Sequence, residues 1–339
     1  MTACYRDDVP RVAVIGAGIS GLTCARKLTD HGVAVTVFEK SRGVGGRMAT
    51  RRTADGLTFD HGAQYFTVSD ERFRHYVDSW YNSGLVDNWK GAIRVLREGR
   101  VTPCENGLTR FVGTPGMTSV CKHLAGEVNV HLQCEITSLM SAGKSWRLID
   151  ATGRTLDTFD VIIVSAPSPQ SATLLGPVSE LGKLAEQVGM QPCWAVMAVF
   201  DLPLPTAFDG AFVYDSALSW VARNSSKPAR SHDHECWVLH GSASWSQEHL
   251  EETAEEVGTG LIQEFFRVVG LPSVSPKSVV AHRWRYAMPL APLKDRCLFD
   301  PASGLGACGD WCFGPRVEGA FLSGNALASR VLREFRLVS

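Results

Sequence analysis

The sequence predicts an α/β fold in which two halves are threaded through each other, and three observations carry that expectation. Its 339 residues exceed one ordinary domain and suggest two cores, at the usual ~150 residues per domain. The chain opens on a strand, a glycine-rich turn, a helix and a second strand, which is the pattern of a βαβ unit in a parallel sheet. No repeat, low-complexity stretch or linker separates the later strands and helices. Chain crossings between the halves are therefore expected, not domains strung in series.

The first strand is expected at 12–15 and the second at 33–38, both short, apolar and rich in β-branched residues. Between them Leu22, Ala25 and Leu28 recur at helical spacing, and His31-Gly32 is a helix stop. Residues 159–164 and 194–200 read as buried strands, closed by Ala166-Pro167 and by Asp201-Leu202-Pro203 respectively. Residues 223–235 mix Asn, Ser, Pro, His and Asp without periodicity and read as a surface loop. Helical spacing returns over 248–269, with Glu251, Glu252, Glu255 and Glu256 on its wet side. It returns again over 317–335, where Ala320, Leu327, Val331 and Phe335 form the apolar stripe.

Hydrophobic residues at 45% and charged residues at 20% are the balance of a chain that buries a core, which excludes a disordered or fibrous protein. Lys and Arg number 34 against 35 Asp and Glu, a formal net charge of −1. Such a chain has no field for collecting phosphate backbones or anionic lipid, so neither nucleic acid nor membrane is an expected partner. Apolar runs such as 161–164 fall far short of the ~20 residues that cross a bilayer. Asp7 and Asp8 stand where a signal peptide needs positive charge, so the N-terminus is expected to belong to the mature protein. Ten cysteines, from Cys4 to Cys312, lack any Cys-x-x-Cys and predict reduced thiols in a cytoplasmic protein.

The chemistry begins at Gly16-Ala17-Gly18-Ile19-Ser20-Gly21, between the first strand and the first helix. Gly16 permits the tight turn, Gly18 lets backbone approach a diphosphate, and Gly21 lets the helix pack on the sheet. The mouth of the helix, at Ile19 and Ser20, then faces the phosphates. Glu39 ends the second strand beside Lys40 and is placed to accept hydrogen bonds from ribose hydroxyls. This Rossmann fingerprint does not separate FAD from NAD. Ser41 to Arg47 follows at once, and its Gly45-Gly46-Arg47 resembles the second motif of amine-oxidase-like flavoproteins, with Arg47 a fixed cation near diphosphate or flavin. Gly304 to Gly309 also spells G-x-G-x-x-G but opens no βαβ unit. Its Gly309-Asp310 resembles the C-terminal Gly-Asp of FAD enzymes, whose carboxylate holds a ribityl hydroxyl.

These segments, together with Asp60-His61-Gly62-Ala63-Gln64-Tyr65-Phe66, Thr114 to Met117, His282-Arg283-Trp284, and Cys308 to Trp311 and Arg316 to Ala320, resemble the renalase family nearly end to end. The resemblance implies a Rossmann-type FAD-binding domain of the amine-oxidase and PHBH-like kind, built from 1–73, 103–175 and 293–339. Through it is threaded an α+β substrate domain of 74–102 and 176–292. It implies noncovalent FAD, held in part by Gly62, Ala63, Gln64, Tyr65, Glu318, Gly319 and Ala320. The implied reaction oxidises 1,2- or 1,6-dihydronicotinamide dinucleotides to NAD(P)+, with dioxygen reduced to hydrogen peroxide. His240 and Trp284 match positions lining the flavin face, and Phe212 and Asn224 fall near pocket positions. Strand alternation sends His282, Trp284 and Tyr286 to one side and Arg283 and Arg285 to the other.

Two other functions fit the same residues. A flavin-containing amine oxidase commonly uses a lysine bound through water to the flavin, for which Lys277 and Lys294 are the candidates. The other is a non-catalytic FAD-binding protein. His232, Asp233, His234 and Glu235 are metal-ligand types, but they lack a ligand spacing, so no metal is expected.

Overall fold

The computed structural model describes residues 9–105 and 107–337. Cys4, Asp7 and Asp8 lie outside the described residues. The expected βαβ opening is present: strand Arg11–Ile15, helix Ile19–Asp30 and strand Ala34–Phe38. The two strands pair in parallel, with Val12 opposite Val35 and Ile15 opposite Phe38. They belong to a six-stranded sheet, continued on one side by Asn129–His131 and on the other by Val161–Val164, Leu305–Ala307 and the antiparallel edge Leu298–Asp300.

The continuous apolar runs reflect burial on both faces, as a parallel sheet requires. Val12, Val14, Val161 and Ile163 point into a core with Leu22, Leu28, Leu327 and Val331 of the first and last helices. Ala13, Ile15, Ile162 and Val164 point the opposite way, onto Trp146, Leu148 and Phe159 of an antiparallel meander and onto Leu174 and Leu175. The stretch read as one strand over 159–164 is two. Thr155–Phe159 closes the meander, Asp160 turns the chain, and Val161–Val164 enters the parallel sheet. The Asp160 carboxylate takes the Arg11 N–H (2.9 Å) and the Ser145 hydroxyl (2.9 Å), which fixes that corner.

A seven-stranded sheet forms the second half, in the order Ser278–Pro289, Met190–Phe200, Glu235–Gly241, Leu218–Arg223, Gly210–Val213, Ile93–Arg97 and Arg100–Pro103. Helix Ala254–Val269 covers one face through Val257, Leu261, Phe265 and Phe266. It is shorter than the helical spacing over 248–269 suggests. A capping box between Thr253 and Glu256 starts it, and Gly270 in the left-handed region (φ 69°) ends it. Glu251 therefore lies before the helix and binds Arg283 (2.8 Å) and Arg285 (2.7 Å).

The segment 223–235 corrects the surface-loop expectation in part, since Ser231, His232 and Asp233 are exposed as expected. Asn224, Ser225, Lys227, Arg230 and Glu235 are all buried. Polar composition misleads here because these groups satisfy one another and Asp60 instead of facing water.

The first and last helices touch backbone to backbone where Gly324 meets Ser20, and a Cβ added at Gly324 would lie 2.0 Å from the Ser20 carbonyl oxygen. Gly324→Ala is expected to cost ~1–3 kcal/mol through forced separation of the helices. Urea unfolding checks it, with the midpoint falling at an unchanged slope.

Candidate functional site

The carboxyl ends of Arg11–Ile15 and Val161–Val164 meet at the glycine loop, the place where open α/β sheets bind ligands. Gly16 (φ 107°) leaves no room for a side chain, since a Cβ there would lie 2.5 Å from the Ser165 carbonyl oxygen. At Gly21 the clash would be with the Gly16 oxygen at 2.2 Å. Gly18 differs: a Cβ built there meets no atom within 4 Å, and the residue lines a cavity of about 480 Å³. The Glu39 carboxylate is buried and receives the N–H groups of Ala17 and Ser41, both at 2.8 Å, so it closes the loop onto the end of the second strand. Lys40 is exposed and outside the cavity lining.

The second motif docks on the first. Gly45 donates its N–H to the Ala17 carbonyl (2.8 Å) and pairs as a bridge with Gly18. Gly46 adopts φ 50°, and a Cβ there would lie 3.4 Å from the Gly18 Cα. From this turn Arg47 reaches across the cavity edge in a two-pronged ion pair with Asp310, at 2.6 and 2.7 Å, and donates to the Ala287 carbonyl at 2.9 Å. Gly62 sits under the same residue, since a Cβ would lie 2.0 Å from the Arg47 carbonyl oxygen.

Gly62, Ala63, Gln64 and Tyr65 line the cavity with Ile19, Ser20, Arg47, Asp310 and Ala320, so these sequence-identified residues come together. From the second half come Phe212, Trp220, His240 and Trp284, with Cys193 and Ser219 between them. Phe212 meets Trp220 edge to face at 4.8 Å, and Tyr65 approaches Trp220 at 5.5 Å. Trp284 Nε1 donates to the His61 carbonyl (3.0 Å), and His240 Nε2 lies 3.1 Å from the same oxygen. A carbonyl only accepts, so Nε2 of His240 carries the proton and Nδ1 is left an acceptor.

Burial holds the neighbouring histidines uncharged. His61 is pushed down to about 3 by burial, assisted by His282 and Arg51, and burial pushes His240 down to about 4. Burial also raises the Cys193 thiol to about 12.

Besides Lys40, four sequence-identified residues are placed otherwise. Tyr286 is absent from the cavity lining, which takes Ala287 and Met288 instead. Alternation holds through Arg283 and Arg285, then fails because the register between Ser278–Pro289 and Met190–Phe200 shifts between Gln191 and Cys193. Pro192 sits at that shift without an N–H to pair. Asn224 is a clamp away from the cavity, taking the Asp60 N–H (3.2 Å) and donating to the Thr58 carbonyl (2.9 Å). Glu318 turns its carboxylate to the N–H groups of Ser69 (2.7 Å) and Asp70 (2.8 Å). Gly319 serves close packing, a Cβ there lying 2.3 Å from the Gly314 carbonyl oxygen.

Sequence reasoning missed Lys227. Lys277 lies near Asp201 (3.9 Å) and Lys294 is exposed, and neither lines the cavity. Lys227 is fully buried and donates to Gln64 Oε1 at 3.1 Å. A helix-free polar stretch gave no signal that this lysine points inward. Cys193 and Ser219 were missed as well, since single polar residues in apolar strands carry no period of their own. Among the described residues no group of three or more His, Cys, Asp or Glu is arranged to hold a metal ion. No described helix is long and apolar enough to cross a membrane.

A model of flavin containing amine oxidoreductases matches residues 87–332, and one of NAD(P)-binding Rossmann-like domains matches residues 14–80. The chain belongs to the flavin-containing amine oxidoreductase family. It is therefore a flavin-dependent oxidoreductase by family, with the Rossmann-type fold expected from its sequence. Mitochondrial protoporphyrinogen oxidase of Nicotiana tabacum is 48% identical over 69 residues, 20% of this chain and 14% of the relative. A 4,4'-diapophytoene desaturase of Staphylococcus haemolyticus is 43% identical over 77 residues, 20% of this chain and 15% of the relative. These matches thus span about a seventh of each relative. In structure the chain is similar to a candidate protoporphyrinogen oxidase from Exiguobacterium, with a TM-score of 0.78, 14% identity, and 96% of this chain and 99% of that one covered. It is also similar to cyclohexylamine oxidase of Brevibacterium oxydans, with a TM-score of 0.75, 14% identity, and 97% and 100% covered.

The residues fit the family's flavin: bare backbone at Gly18 opens into the cavity, and the Glu39 carboxylate closes the loop beside it.

The buried histidines make acid stability a direct test. Folded His61 and His240 refuse protons that the unfolded chain takes up near pH 6.5. Stability is expected to fall as pH drops from about 6.5 towards 4, by ~1.4 kcal/mol per pH unit for each histidine. Urea unfolding of the apoprotein between pH 7 and 4 checks this, and His240→Gln should flatten the slope by one proton.

Proposed function

We propose that the chain is a renalase-like oxidase that converts 1,2- or 1,6-dihydronicotinamide dinucleotides to NAD(P)+ on noncovalent FAD, reducing dioxygen to hydrogen peroxide. The observation that carries this reading is the charge of the cavity wall. Asp310 is the carboxylate among the described lining residues, and both its oxygens are engaged by Arg47. An ammonium substrate would find aromatic rings but no unpaired anion. A planar ring carrying phosphates finds Trp220, Trp284, Phe212 and Tyr65 together with the Arg316 cation.

Bound FAD supplies a hydride acceptor whose electrons pass on to dioxygen. Loss of hydride from a dihydropyridine leaves an aromatic pyridinium, so no protein base is needed and positioning becomes the protein's task. The His61 carbonyl does that on one side, anchoring both the Trp284 indole and the His240 imidazole. Neutral His240 places no like charge against the pyridinium that forms.

Anaerobic mixing decides between this reading and an amine oxidase. The 1,2- or 1,6-dihydro isomers are expected to bleach the flavin far faster than ordinary 1,4-NADH or a simple amine, because a ring displaced by about 1 Å loses ~100-fold in rate. Trp284→Ala should raise the substrate concentration required while FAD stays bound. Rapid bleaching by an amine and none by the dihydro isomers rejects the reading.

Flavin retention provides an independent check. FAD is expected to leave intact on heat or acid treatment, since Cys308 and Cys312 are buried outside the cavity lining. Glu39→Arg should weaken retention by removing the carboxylate that closes the glycine loop beside the ribose position, ~1.5–3 kcal/mol of charge-assisted bonding, measured as flavin content after gel filtration.

A further inference from the structure

Behind the wall formed by Gln64 lies a buried charge cluster that the chemistry above does not use. Asp60, Lys227 and Arg230 share it, and the Asp60 and Lys227 side chains are both 0% exposed. Asp60 Oδ2 accepts from Arg230 at 2.5 Å and from Lys227 at 3.5 Å, while Oδ1 accepts from the Met117 N–H (3.0 Å) and the Thr50 hydroxyl (2.8 Å). Burial alone would push the Asp60 carboxyl up, but the two cations and these hydrogen bonds hold it below its usual value. One carboxylate thus faces two cations, and the cluster keeps a net charge of +1.

The two cations are not equivalent. Arg230 is fixed by the carbonyls of Gly113 (2.8 Å) and Pro228 (2.7 Å) as well as by Asp60, and it locks the chain structurally. Lys227 has only the long contact to Asp60, the Gln64 oxygen at 3.1 Å and the Trp89 ring face at 5.6 Å. Burying an ammonium so thinly solvated costs desolvation that these few contacts repay poorly. Its charge is directed at the cavity along two routes. Gln64 lines the cavity with its oxygen held on Lys227 and its nitrogen on the Asp60 and Gly62 carbonyls. His240, also in the lining, feels the lysine as a charge that lowers its proton affinity.

We propose that Lys227 is a positioning residue whose buried ammonium, acting through Gln64 and the field at His240, makes the cavity favour the reduced, anionic flavin over the oxidised one. The inference rests on the flavin reading of the site and assigns the tuning of that flavin to a residue outside the cavity lining.

The groups facing Lys227 are Asp60, Arg230, Gln64, Trp89 and His240. Burial, opposed by Asp60 and aided by Arg230, brings the lysine down to about 8. Its charge is therefore present at neutral pH and is lost above about pH 8.

The test is the flavin midpoint potential of the purified holoprotein, titrated against reference dyes from pH 6.5 to 9.5. The wild type is expected to show a steeper fall above about pH 8. Lys227→Met should lack that bend and should shift the reduced-to-oxidised ratio at fixed potential about tenfold towards oxidised at pH 7, the effect of losing one buried charge from behind the cavity wall. Lys227→Arg should restore the ratio and lose the bend. An unchanged ratio in Lys227→Met overturns the inference, as does a wild-type profile without a bend, which remains measurable if the variant fails to fold. Protein that carries no flavin and takes up none from added FAD rejects the flavin reading itself, whereas flavin bound with an unaltered potential rejects only the role of Lys227.

Discussion

The two-pronged pair between Arg47 and Asp310 is the interaction on which the arrangement of the site depends. Arg47 follows the turn that docks on the glycine loop, Asp310 follows the strand at the far side of the parallel sheet, and Ala287 belongs to the edge strand of the other sheet. One guanidinium therefore holds together three segments drawn from both halves of the chain. A planar fork suits this task, since it fixes direction as well as charge, and lysine would fix only the charge. Because both Asp310 oxygens are engaged, the pair also sets the character of the cavity: its carboxylate is neutralised in place.

Around that clamp, specificity of shape comes from missing side chains. Gly16, Gly21, Gly62 and Gly324 each stand where a Cβ would fall within 2.5 Å of a backbone oxygen, so backbone is packed on backbone at four points around the site. Close packing of this kind leaves little freedom to drift, and the aromatic wall of the second half is positioned against a rigid surface. The Asp60 cluster continues the same logic across the boundary between halves, tying strand Thr58–Asp60 to the segment that carries Lys227 and Arg230.

The dinucleotide half was legible because its determinants are local. A glycine at 18, an acid at 39 and an apolar run at 161–164 announce turn, strand end and buried strand from their immediate neighbours alone. The second half was less legible because its determinants are not local. Tyr286 lost its place to a register shift at Pro192 on another strand. The buried segment after Arg223 looked wet because its partners, Asp60 and Gln64, lie over 160 residues earlier. Glu318 was assigned to the cofactor through the resemblance, but its carboxylate is taken by the N–H groups of Ser69 and Asp70, about 250 residues earlier in the chain.

The Cys193 thiol in the cavity wall has a reactivity set by its surroundings. Sulfur is oxidised to sulfenic acid through the thiolate, and only the deprotonated form is an efficient nucleophile toward peroxides. Burial has raised this thiol to about 12, so at neutral pH the thiolate fraction is on the order of 10⁻⁵. A sulfur in the cavity wall is thereby kept chemically silent. The apolar wall that shapes the cavity is also what keeps this sulfur in its unreactive thiol form.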